Sequence, residues 1–190
     1  MENNAGFRIR PAVLSDAERI LEIYGHYILN TAVTFEYEIP SAEDFRGRMR
    51  KSMQRYPYLV AEKDGQVLGY AYARALIERP ACDWACETTV YLDYAACKTG
   101  IGRAIYSALE DALRAMGITN LYASIAYPEI EDEYLTRNSA AFHSHMGFRE
   151  VGRFHNCGRK FGRWYHLIWV EKIIGEHSPD QKPVRPFDTL

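Results

Sequence analysis

The stretch Val90-Tyr91-Leu92-Asp93-Tyr94-Ala95-Ala96-Cys97-Lys98-Thr99-Gly100-Ile101-Gly102-Arg103 constrains this chain more than any other. A β-rich segment, Thr88 to Leu92, runs into a short loop that closes on Gly-x-Gly. An apolar-periodic segment, Ile101 to Met116, begins at once. A strand that hands directly to a helix aims backbone N–H groups and the positive end of the helix dipole at one point, which suits a phosphate. Gly117 stands where such a helix ends in a left-handed residue. Two other phosphate motifs are excluded. No Gly-x-x-x-x-Gly-Lys-Ser/Thr string occurs, and Ile105 stands where the dinucleotide fingerprint needs its third glycine. A glycine pair also serves a plain tight turn, so the motif alone leaves both readings open.

The flanking segments read as an alternation of strands and helices. Phe7 to Arg10 is a short strand ended by Pro11. Ser15-Asp16-Ala17-Glu18 has a capping-box pattern, so a helix is expected from Asp16, with Ile20, Ile23, Tyr24, Tyr27 and Ile28 as its apolar stripe. Thr31 to Pro40 is a loop or a short extended piece. Ser41 caps a second helix marked by Phe45, Met49 and Met53. Tyr58 to Lys63 and Gln66 to Arg74 form a hairpin about Asp64-Gly65. After the central strand and helix come a strand over Asn120 to Tyr127, an acidic irregular piece, and a short helix over Ser139 to Met146. Two last strands, Phe148 to Phe154 and Arg163 to Ile173, are expected to join around Gly158. This order predicts an α/β (α+β) chain with a mixed sheet and helices on both faces. Residues 1–174 read as one domain, and 175–190, with Pro179, Pro183 and Pro186, as a loose tail.

Composition narrows the function classes. The chain has 190 residues, with 23 Lys plus Arg against 25 Asp plus Glu. That balance gives no electrostatic reason to expect nucleic acid. No apolar run reaches membrane-spanning length, and Met1-Glu2-Asn3-Asn4 lacks the pattern of a signal segment. The four cysteines form no Cys-x-x-Cys pair and the histidines no zinc spacing. No metal, no membrane and reduced thiols in a cytoplasm are therefore expected.

An ordered set of segments carries a resemblance. It comprises Ile23-Tyr24 with Tyr27-Ile28, Thr31-Ala32-Val33-Thr34-Phe35-Glu36, Pro57 to Glu62, and Gly69-Tyr70-Ala71-Tyr72-Ala73. Asp83-Trp84 and Glu87-Thr88-Thr89-Val90-Tyr91 follow, then the glycine loop, Phe142-His143 before Gly147-Phe148, and Lys160-Phe161-Gly162-Arg163-Trp164. From about Phe7 to Lys172 the chain resembles the Gcn5-related N-acetyltransferase (GNAT) superfamily, and within it the phosphinothricin acetyltransferase group. The resemblance implies a mostly antiparallel sheet with one splayed strand pair. It implies acetyl-CoA as co-substrate, a small-molecule amine acceptor and a homodimer. The backbone of Val90, Tyr91 and Leu92 would hold the pantetheine arm. Lys98, Thr99, Gly100, Ile101, Gly102 and Arg103 would hold the pyrophosphate. The superfamily usually has Gln or Arg where this chain has Cys97, so Lys98 or Arg103 is left to supply charge. The usual CoA-side asparagine position falls on Thr136, with Asn138 two residues later.

The resemblance also implies roles in catalysis. Glu87 matches a proposed general base, a reading favoured over its alternative, a strand carboxylate in a structural ion pair. His143 takes the place of a common tyrosine acid; it would protonate the leaving thiolate or help deprotonate the amine, or else is a packed core histidine. Phe35, Glu36, Tyr72, Arg74 and Thr89 match acceptor-side positions. Arg74 could pair with an amino-acid carboxylate or simply end a strand in solvent. Peptide acetylation and a non-catalytic acetyl-CoA-binding module stand as alternatives to a small-amine acetyltransferase.

Overall fold

The computed structural model describes residues 2–3 and 6–189. The reading of Met1 to Asn4 therefore falls partly outside the described residues, as does Leu190 of the tail. The strands are β1 (Glu2–Asn3), β2 (Phe7–Pro11), β3 (Tyr58–Lys63), β4 (Gln66–Ala75), β5 (Ala85–Leu92), β6 (Asn120–Tyr127), β7 (Arg149–Lys160) and β8 (Arg163–Ile173). They form one sheet in the order β1-β2-β3-β4-β5-β6-β8-β7. Every pairing is antiparallel except β5 with β6.

The helices are α1 (Ala17–Asn30), α2 (Ala42–Met53), α3 (Ile101–Met116) and α4 (Asn138–His145). Strand alternation sorts the core into two layers. Leu59, Ala61, Ala71 and Ala73 point to the face covered by α3, where Ile105, Leu109 and Leu113 are fully buried. Tyr58, Val60 and Tyr70 point to the opposite face, against Ile20 and Ile23 of α1 and Phe45 and Met49 of α2. Ser41 caps α2 as expected, its Oγ accepting from the Asp44 N–H at 3.1 Å.

The parallel pairing of β5 and β6 is short. It runs from Ala85↔Asn120 to Glu87↔Tyr122 and stops. Beyond it, β5 stays with β4 up to Leu92, and β6 stays with β8 up to Tyr127. The strands therefore splay just after Glu87. Thr88 fixes the point of divergence. Its hydroxyl donates to the Tyr122 carbonyl at 3.0 Å and so accepts from Tyr106 Oη of α3 at 2.6 Å.

Three expectations are corrected. Ser15 does not lead a capping box into a helix from Asp16: it lies within a 3-10 turn, Leu14–Asp16, and α1 begins at Ala17 with Asp16 as its N-cap. The Asp16 carboxylate accepts from the Val13 N–H at 2.9 Å and from both terminal nitrogens of Arg10. The final hairpin turns at Phe161-Gly162, not at Gly158, because β7 runs on to Lys160 through a register shift between Phe154 and Gly158. The segment expected to be a loose tail follows the body of the molecule: the Arg185 N–H donates to Met116 O at 2.9 Å and the Phe187 N–H to Arg55 O at 3.0 Å.

Candidate active site

A cavity of about 1120 Å³ opens where β5 and β6 part. Its walls come from β4, β5 and β6, the α1–α2 connection, α2 and α4. Of the residues read from the sequence, Glu87, His143, Phe35, Glu36, Tyr72, Arg74, Thr89, Val90 and Tyr91 all line it. Leu92, the loop Lys98 to Arg103, and Asn138 do not. They lie at the exit of β5, at the start of α3 and at the first residue of α4.

Glu87 is 6% exposed. Its Oε2 accepts from Arg74 Nε at 3.0 Å and sits 2.8 Å from Arg74 Nη2. Its Oε1 accepts from Ser124 Oγ at 2.8 Å. Register explains the first partner, since Arg74 lies directly across from Glu87 on β4. The structural ion pair and the candidate base are thus one and the same group. Sequence reading gave no weight to Ser124, although a hydroxyl within the apolar run Ala123-Ser124-Ile125 is a usable signal.

His143 is 6% exposed and stands edge-on to the rings of Tyr106, Phe142 and Phe148. Its Nδ1 lies 2.8 Å from the Ser139 carbonyl. A carbonyl only accepts, so Nδ1 carries the proton of the neutral ring. Nε2 is then a bare acceptor, buried and without a partner among the described residues. Burial pushes the imidazole below its ordinary value, against a smaller opposing effect of the Ser139 bond. The neutral ring is thereby favoured.

A stack of tyrosines lines the cavity. Tyr58 and Tyr72 are parallel at 4.8 Å, and Tyr70 stacks on Tyr91 at 5.6 Å. Burial raises the Tyr72 phenol, with Arg74 and Arg48 pulling the other way. Phe35 and Glu36 come from the α1–α2 connection, which the β7–β8 hairpin holds from behind. The buried Lys160 Nζ donates to Thr34 O at 2.9 Å, and Tyr37 Oη donates to Arg159 O.

The start of α3 fits a pyrophosphate. Gly100 is the N-cap in a left-handed conformation (φ +86°), and no side chain caps the helix. No acidic residue occupies the first turn. Free N–H groups and an uncompensated dipole end are left there. The side chains of Lys98 and Arg103 are exposed and make no hydrogen bond or ion pair among the described residues. Cys97 Sγ lies 3.6 Å from Asp93 O and beside the Tyr27 phenol. Leu92 O is already taken by Tyr27 Oη at 2.8 Å. Thr136 and Asn138 are both exposed, and Thr136 Oγ1 accepts from the Asn138 N–H at 3.4 Å. Among the described residues, no group of three or more His, Cys, Asp or Glu could hold a metal ion. Likewise no helix is long and apolar enough to cross a membrane.

Comparison with known proteins agrees with this geometry. The sequence profile of the acetyltransferase (GNAT) domain matches residues 9–169. The phosphinothricin N-acetyltransferase of Streptomyces coelicolor is 34% identical over 178 residues, 92% of this chain and 100% of that protein. The L-methionine sulfoximine/L-methionine sulfone acetyltransferase of Salmonella typhimurium is 30% identical, over 90% of this chain and 98% of that one. Among solved structures, a GNAT superfamily phosphinothricin acetyltransferase from Sinorhizobium meliloti, in complex with AcCoA, superposes with a TM-score of 0.83 at 30% identity. It covers 96% of this chain and 98% of that one. Splayed strands, an uncapped glycine-led helix and a matching profile over most of its length place this chain in the GNAT acetyltransferase family.

Proposed function

We propose that the chain transfers the acetyl group of acetyl-CoA to the primary amine of a small amino-acid-like acceptor, of the phosphinothricin, methionine sulfoximine or methionine sulfone type. The meeting of Glu87, His143, Arg74, Tyr72 and Thr89 in one cavity beneath the splayed strands carries this reading. The names of the relatives support the acceptor class.

Acetyl-CoA supplies the activated acyl carbon. Lys98 to Arg103, the backbone of Val90 and Tyr91, the N–H of Leu92 and the start of α4 at Asn138 are the groups assigned to hold it. The acceptor arrives as an ammonium and must lose a proton to become a nucleophile. Glu87 takes that proton, directly or through a water, from a rotamer fixed by Arg74 and Ser124. As the C–N bond forms, a second proton leaves the nitrogen. The bare Nε2 of His143 accepts it and returns it to the sulfur as the C–S bond breaks. A backbone N–H at Thr89 or Val90 steadies the developing oxyanion. Phe35, Glu36, Tyr72 and Arg74 shape the acceptor side.

The exposed side chains of Val151, Phe154 and Trp164 along the β7–β8 edge support a homodimer, which light scattering on the purified protein tests. Four free thiols support a reducing cytoplasm as its setting. The deciding experiment is a thiol-release assay with acetyl-CoA and a panel of free amino acids, phosphinothricin and methionine sulfone among them. Turnover confined to these acceptors is expected. Silence across the panel, with CoA binding shown separately, overturns the reading.

A further inference from the structure

The acceptor end of the cavity holds a second arginine–carboxylate pair that the chemistry above leaves idle. Arg48, on α2, donates from Nη1 to Glu36 Oε1 at 2.6 Å, and Tyr24 Oη donates to the same oxygen at 3.1 Å. Tyr24 Oη also lies 2.9 Å from Thr34 Oγ1, and Thr34 O is the acceptor for Lys160 Nζ. Glu36 acts on Lys160 as a neighbouring charge, so two basic side chains flank this one carboxylate. Arg48, Arg74 and Tyr72 line one cavity, and both guanidinium charges are felt at the Tyr72 phenol.

The pairs differ in what they leave free. Arg74 spends two nitrogens on Glu87. Arg48 makes a single hydrogen bond among the described residues, and its side chain is 52% exposed. The rest of its N–H fork is open to a ligand, and a guanidinium is suited to a planar or tetrahedral oxo group.

We infer that Arg48, positioned by Glu36, is a specificity-determining residue that donates to an oxygen at the far end of the acceptor side chain: a phosphinate, sulfone or sulfoximine oxygen. The amino-acid end of the acceptor lies on the Arg74–Glu87 side of Tyr72. This inference rests on the acetyl-transfer reading and adds to it the chemistry by which the acceptor is selected.

The test compares three acceptors of similar length: anionic phosphinothricin, neutral methionine sulfone, and norleucine, which has no distal oxygen. Norleucine is read as a competitive inhibitor where its turnover is too slow. Arg48→Met keeps the stem and the helix and removes the donors. It is expected to raise KM for the two oxygen-bearing acceptors by about tenfold or more, the loss of one charge-assisted hydrogen bond. The norleucine constant and the KM for acetyl-CoA stay as they were, and Arg48→Lys recovers part of the loss. Glu36→Gln removes the competing carboxylate and is expected to shift kcat/KM severalfold toward phosphinothricin over the sulfone. An equal loss on all three acceptors, or no loss on any, overturns the inference while leaving acetyl transfer standing. A wild-type enzyme that acetylates none of the three overturns the acetyl-transfer reading itself, and the selection mechanism falls with it.

Discussion

Glu87 has both carboxylate oxygens engaged before an acceptor arrives, by Arg74 on one side and Ser124 on the other. Each carboxylate oxygen has more than one acceptor direction, so a fixed rotamer still leaves room for a proton. Glu87→Gln retains the hydrogen bond to Arg74 or to Ser124 but removes the basic oxygen. We expect kcat to fall by about 10²–10⁴, the usual worth of a positioned base, with acetyl-CoA binding unchanged by calorimetry. A lowered melting temperature with unchanged kcat would return Glu87 to a purely structural role. His143 makes a separate prediction. Burial holds its native value below that of the unfolded chain, so the unfolded state takes up the proton first as pH falls. Its contribution to stability is complete above the ordinary histidine value of about 6.5 and is lost as pH drops from there toward the lowered native value. Melting curves between about pH 7 and pH 5 should therefore slope less steeply for His143→Gln than for the parent, and an unchanged slope sinks this account.

Gly158 of β7 shows how one element shapes another's site. A Cβ at Gly158 would lie 2.3 Å from Phe35 Cε2, inside any allowed contact. The β7–β8 hairpin thus presses directly on the wall that carries Phe35 and Glu36. Gly158→Ala should cost about 1–3 kcal/mol by overpacking and raise the acceptor KM, with the acetyl-CoA KM unmoved. Adding Phe35→Leu should restore part of the stability, and independent, additive effects would disprove the contact. The same hairpin marks where the sequence stops being legible. Asp64-Gly65 is a readable two-residue turn because both residue types accept positive φ, as they do here at 51° and 78°. Phe161-Gly162 adopts the same left-handed pair at 49° and 77°, but phenylalanine carries no turn signal. Along β7 nearly every residue is exposed and the register shifts twice, so no alternation reveals its length. The start of α3 was legible for the opposite reason, since a long apolar period, two glycines and Gly117 all agree there. Within the site, the register that sets Arg74 against Glu87 and the reach of Arg48 to Glu36 belong to tertiary pairing, which no local pattern encodes.

On the scale of the whole molecule, the C-terminal segment ties together parts that the active site needs in fixed relation. Val184 and Phe187 pack on the core layer beneath α3. Arg185 caps the end of α3 through Met116 O, with its Nη2 also donating to Ala115 O at 2.8 Å. Phe187 N–H satisfies Arg55 O just past α2, and Trp84 Nε1, at the entry to β5, donates to Lys182 O at 2.8 Å. Arg55 lines the cavity, and Trp84 precedes the strand that carries Glu87. The loop proposed to hold acetyl-CoA lies at the other end of α3, about 24 Å away for a 16-residue helix. Removing residues 175–190 should therefore act unevenly. Losing two partly buried apolar side chains and these bonds should cost about 2–4 kcal/mol, lowering the melting temperature by roughly 5–15 °C. The acceptor KM should rise as α2 and the entry to β5 loosen, while the acetyl-CoA KM stays near its original value. Equal changes in both constants would mean that the segment stabilises the fold as a whole and does not brace the acceptor wall. A Phe187→Ala, Val184→Ala double variant, which keeps the backbone bonds, separates apolar anchoring from the hydrogen-bonded clamp: a full reproduction of the truncation assigns the effect to packing alone.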